Sequence, residues 1–101
     1  MDIEEAVSNV GKADEWSALV ARPPLTYGAD AKFVGMTEDG TVRDEDLAGG
    51  YQVLLDVEDI RTLLSYTARK KMSSRSIAEF VIHYANVDAY PAWFDDLPAK
   101  D

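Results

Sequence analysis

The chain predicts an α+β domain: a small antiparallel sheet of about three strands packed against three helices, with the helices on one face. Three observations carry this. Residues 56–88 read as two amphipathic helices separated by a basic turn. Three short apolar runs, bounded by Gly, Pro or acidic turn residues, read as strands. The 101 residues are 47% hydrophobic, enough for one real core and no more than one domain, 1–101.

Asp2 to Val10 is the first helix. Ile3, Ala6, Val7 and Val10 recur at helical spacing, Asp2, Glu4 and Glu5 suit the N-terminal end of the dipole, and Gly11 is placed to stop it. Trp16 to Ala21 is a short apolar strand, ended by Arg22-Pro23-Pro24 because consecutive prolines offer no ladder donors. Ala31 to Met36 is a second strand, paired antiparallel with the first, with Gly35 as a candidate bulge. Thr37 to Gly50 has no hydrophobic period and several turn residues. Tyr51 to Leu55 is the third strand; its near-continuous apolar character predicts a central or doubly covered position.

Asp56 then caps the second helix. Val57, Ile60, Leu63, Leu64, Thr67 and Ala68 form its stripe, and Arg69, Lys70 and Lys71 close it with charge of the sign the dipole favours. Ser73 or Ser74 caps the third helix, whose stripe is Ile77, Phe80, Val81 and Tyr84. Residues 86–101 form a tail rich in rings and carboxylates, limited in regular structure by Pro91 and Pro98.

Charge narrows the function classes. The formal charge is −9, and residues 1–50 hold eleven acidic against four basic side chains. This disfavours nucleic acid and anionic membrane as partners and suits a basic protein partner, approached by steered association. The absence of cysteine removes disulfides and thiolate sites, and one histidine cannot assemble a usual transition-metal set, so neither metal nor cofactor is expected. The acidic start and the lack of a long apolar run point to a cytoplasmic protein.

Two groups are candidate partner-binding residues. Asp44, Glu45 and Asp46 form an acidic loop, which reads as solvated surface, as a contact for a basic partner or, less readily, as a hard-cation site lacking calcium-loop spacing. Asp88, Tyr90, Trp93, Asp95 and Asp96 combine rings with one sign of charge, the composition of an interface with desolvated anchors and a steering rim. Trp93 and Phe94 fit either an interface or a tail folded into the core. His83, one turn after Glu79, is the alternative: a general base with its orienter, or an ordinary i, i+4 neighbour pair. Arg69-Lys70-Lys71 with Arg75 is a small basic patch, which reads as a nucleic-acid contact or, more readily on so acidic a chain, as helix-terminus charge that needs no ligand. No phosphate loop, serine elbow or paired catalytic carboxylates occur.

The order of parts carries a resemblance. A short acidic helix, a strand ending in Arg22-Pro23, an acidic loop, the run Tyr51-Gln52-Val53-Leu54-Leu55-Asp56-Val57-Glu58-Asp59-Ile60 and a closing helix through Phe80-Val81-Ile82-His83-Tyr84 to Tyr90 together resemble a family of small acidic bacterial proteins of uncharacterised function. These are similar to immunity proteins of polymorphic toxin and contact-dependent inhibition systems. The resemblance covers roughly residues 2–90 and implies a non-catalytic inhibitor that occludes a basic, nuclease-like cognate toxin in the cytoplasm. A nucleic-acid-mimicking inhibitor of a DNA-binding enzyme, or a small enzyme using His83 and Glu79, are the competing readings.

Overall fold

In the computed structural model, which describes residues 1–100, three helices and a three-stranded antiparallel sheet make up the expected α+β fold. The elements are α1 (Ile3–Ser8), β1 (Ser17–Ala21), β2 (Ala31–Gly35), β3 (Gln52–Asp56), α2 (Val57–Thr67) and α3 (Ser74–Val87). Single 3-10 turns occupy Val10–Lys12, Asp44–Leu47 and Ala92–Phe94.

The helix starts are where the caps place them. Asp2 Oδ1 accepts from the Glu5 amide at 2.8 Å, Asp56 Oδ1 from Asp59 at 2.7 Å, and Ser73 Oγ from Ser76 at 3.1 Å. Each satisfies a donor that an α-helix leaves without an internal partner. Asp56 is both the last residue of β3 and the cap of α2, so strand passes to helix with no connecting loop. The first helix is shorter than its apolar stripe. Asn9 caps it at the C-terminal side, and Gly11 lies inside the following 3-10 turn instead of ending the helix.

The strand order is β2-β1-β3, which corrects two expectations. The central strand is β1, buried at every position; β3 is an edge strand, with Val53 48% exposed. The pairing shifts between Leu19 and Val20: Leu19 faces Leu55 while Val20 faces Val53, so Leu54 is the extra residue. The bulge therefore lies in β3, whereas Gly35 pairs in regular register with Ser17. A bulge breaks the alternation of side-chain direction. That is how both Leu54 and Leu55 join the core, and why β3 looks continuously apolar without being central.

Leu19 and Ala21 of β1, Ala31 of β2 and Leu54 of β3 share one core with Ile3, Val7, Val57, Ile60, Leu63, Phe80 and Val81 of the helices. The alternate residues Ala18 and Val20 are buried outside that cluster. Across the end of this second sheet face lies Tyr51. Its hydroxyl donates to Asp30 Oδ2 at 2.9 Å, Arg22 pairs with the same oxygen at 3.1 Å, and Lys32 Nζ sits 4.4 Å from the ring centroid. Since β2 and β3 are parallel and flank β1, the 36–51 connection has to run back along the sheet and cross from one edge to the other. No helix among the described residues is long and apolar enough to cross a membrane.

Candidate functional site

The tail is part of the fold. Phe94 is 8% exposed and its ring centroid lies 4.8 Å from that of Phe80, which is fully buried. The basic turn after α2 is the dock. The Lys71 amide donates to the Pro98 carbonyl at 3.0 Å, the Lys100 amide to Arg69 at 2.8 Å, and Lys70 Nζ to the Leu97 carbonyl at 3.1 Å. Arg69 also stacks over Tyr66 at 5.4 Å. The basic turn at the end of α2 thus holds the C-terminal segment, through backbone groups of Arg69 and Lys71 and through the Lys70 side chain.

Docking the tail assembles a ridge of rings from three elements: Tyr66 of α2, Phe80 and Tyr84 of α3, and Tyr90, Trp93 and Phe94 of the tail. Tyr90 is the hub, with centroids at 5.5 Å from Tyr66, 5.3 Å from Phe80, 5.9 Å from Tyr84 and 6.0 Å from Phe94. Phe80 and Trp93 meet edge-on at 6.5 Å. These spacings are those of favourable aromatic pairs. Phe94 is core, while Tyr90, Trp93 and neighbouring Val87 remain exposed at 43%, 37% and 58%. Of the two rings that fit either an interface or the core, Phe94 is core and Trp93 is exposed.

Carboxylates border the ridge. Asp88 ends α3 in the left-handed region, φ 56° and ψ 34°, a conformation that Asp tolerates better than most residues. Its charge, with partial desolvation and a side-chain hydrogen bond to Asp88, pushes the Tyr84 phenol above its ordinary pKa. Desolvation and Tyr66 do the same to Tyr90. Asp95 and Asp96 are exposed, and among the described residues neither side chain has a cationic partner.

Of the sequence-predicted partner-binding residues, the fold gathers Asp88, Tyr90, Trp93, Asp95 and Asp96 on this one segment. Asp44, Glu45 and Asp46 are apart from it, in the 3-10 turn of the β2–β3 connection, where Arg43 reaches Asp46 at 3.9 Å. No hydrogen bond, ion pair or ring contact joins that turn to residues 88–96 among the described residues.

His83 lies in a groove of about 450 Å³, a feature the sequence does not disclose. Its floor is the α3 stripe Glu79, Ile82, His83 and Asn86; Leu25, Thr26 and Tyr27 of the β1–β2 loop and Trp93 of the tail line the rest. The loop is placed by backbone bonds from the start of α1, Ile3 to Ala29 at 3.0 Å and Glu4 to Tyr27 at 2.9 Å. Glu79 is not the orienter of the histidine. His83 Nδ1–H donates to the Ala89 carbonyl oxygen at 2.9 Å, which leaves Nε2 as the acceptor nitrogen in the neutral ring. No group of His, Asp and Glu suited to a metal ion occurs among the described residues. The groove is open and acceptor-rich, and it runs up to the exposed ring of Trp93, so ridge and groove share one residue.

No family model, curated protein or solved structure matches this chain.

Proposed function

We propose that this is a non-catalytic binding protein of the immunity type, which neutralises a basic, nuclease-like toxin by covering its working surface. The observation that carries the reading is the ring ridge bordered by Asp88, Asp95 and Asp96. It offers exposed aromatic anchors, pre-ordered by the docked tail, inside a rim of carboxylates that no cation among the described residues neutralises. Interfaces concentrate binding energy in such anchors, and the charged rim raises the rate of encounter with a partner of opposite sign. The net charge of −9 acts in the same direction at longer range. The chemistry required is occlusion alone.

The rival is an enzyme working through His83, to which the groove gives a location. Glu79, Asn86 and Thr26 around the imidazole suit holding a ligand, and loss of any turnover on His83→Ala would decide for the rival.

The experiment is to mix the purified chain with the product of the adjacent gene and measure complex formation and toxin activity. The expected result is a complex whose association rate falls steeply with salt. Trp93→Ala should weaken it by about 30-fold, the scale of an interface anchor. A neighbour that is no toxin, or a toxin that is neither bound nor inhibited, defeats the proposal.

A further inference from the structure

The groove beside His83 has a chemistry more specific than its surroundings. Its one formal charge is the carboxylate of Glu79, which is exposed and has no ion pair or hydrogen bond among the described residues. His83 presents Nε2 as an acceptor because Nδ1–H is committed to Ala89. Asn86 and Thr26 add an amide and a hydroxyl, Leu25 and Ile82 add apolar wall, and Tyr27 and Trp93 add two rings. Among the described residues no Lys or Arg lines the groove. Arg75, which is not among the lining residues, already illustrates what such a ring attracts: its guanidinium stands 4.2 Å from the Tyr27 ring centroid, with its charge turned to Glu4 at 3.9 Å.

We infer that the groove is a socket for one arginine side chain of the basic partner, an inference that rests on the binding function proposed above. A guanidinium offers five donors in a plane and stacks on aromatic faces, so it can meet a carboxylate, an imidazole nitrogen and a ring at once. An ammonium has no plane to stack, and an anion would face Glu79. The three-carbon stem of arginine suits the Leu25 and Ile82 wall, and the volume lies within the usual range of about 300–1,000 Å³ for pockets that hold a small group. The socket would set orientation: once the ridge has captured the partner, one arginine entering beside Trp93 defines the register.

The test is a nuclear magnetic resonance titration of the full chain with the peptide acetyl-Gly-Arg-Gly-amide. Its citrulline counterpart, alike in shape but uncharged, is the control. The arginine peptide is expected to shift the His83 ring and Trp93 indole resonances saturably, the citrulline peptide to leave them in place, and Glu79→Gln to weaken binding about fivefold, as loss of a partly exposed ion pair does. Equal shifts with citrulline, no saturable shift, or unchanged affinity in Glu79→Gln overturns the socket. Since Glu79 is exposed, the amide spectrum of the free variant should match the parent, which separates lost binding from lost folding. The titration needs no partner, so the two proposals fail separately. A chain that takes the peptide but binds no basic protein refutes the inhibitor; a chain that binds its toxin equally well as Glu79→Gln refutes the socket.

Discussion

Replacing Phe94 with alanine tests whether the C-terminal segment belongs to the domain. The ring is 8% exposed and packs 4.8 Å from Phe80 and 6.0 Å from Tyr90. A Phe→Ala change in a core costs about 3–5 kcal/mol, the lost transfer energy plus the cavity left behind. The lower end applies, because the segment is joined to the body along one side and can settle inward. Its three hydrogen bonds to the basic turn are untouched and contribute net about 1 kcal/mol each, so they hold the backbone near its place while the rings lose their support. A loss of about 3 kcal/mol should lower Tm by roughly 12–24 °C in a domain of this size, a large share of the roughly 5–15 kcal/mol such a domain has. Urea unfolding followed by circular dichroism gives the free energy, and amide exchange of residues 90–100 gives the local consequence. A cost below about 1 kcal/mol with unchanged exchange would show that the tail is an appendage and that the ridge is not pre-ordered.

The remaining predictions concern charge and caps. Asp56→Ala should cost about 1 kcal/mol through the lost cap on the Asp59 amide, and Asp56→Asn much less, both read from urea midpoints. Desolvation first, and the charge of Asp56 second, hold the Asp59 carboxyl above its ordinary pKa. The folded state therefore binds that proton more tightly than the unfolded chain does, and stability is lost as pH rises from 3.8 through the raised folded value. Asp59→Asn should accordingly stabilise the protein at pH 7 by less than about 1 kcal/mol, with the gain gone below pH 3.8; a destabilised variant at pH 7 refutes this. Asp88→Asn keeps a side chain tolerated in the left-handed region and should bring the Tyr84 phenol back toward its ordinary pKa, seen as earlier phenolate absorbance in an alkaline titration.

Local chemistry made much of this protein legible. Caps at Asp56 and Ser73, apolar spacing in the helices and turn residues between short strands act within a few residues of themselves, so they are readable in order along the chain. The α+β class, the three helices and the three strands follow from them. Strand order does not, because it depends on which strand is covered from both sides. Ser17–Ala21 is built of small and branched residues that fit between two neighbours, while the apolar run at Val53-Leu54-Leu55 reflects a bulge.

The candidate site divides along the same line. That rings and carboxylates near the C-terminus form a unit was visible, since Asp88, Tyr90, Trp93, Asp95 and Asp96 are close in sequence. That Phe94 is core, that the 69–71 turn is the dock, and that the β1–β2 loop meets α3 to enclose His83 were not. Each depends on contacts between residues tens of positions apart, decided by how the apolar faces of helices and sheet are buried together. Sequence by itself determined the elements, most of their caps and the sign of the surface; only the tertiary packing decided which rings are exposed and which are core, and made a groove between segments that carry no shared signal.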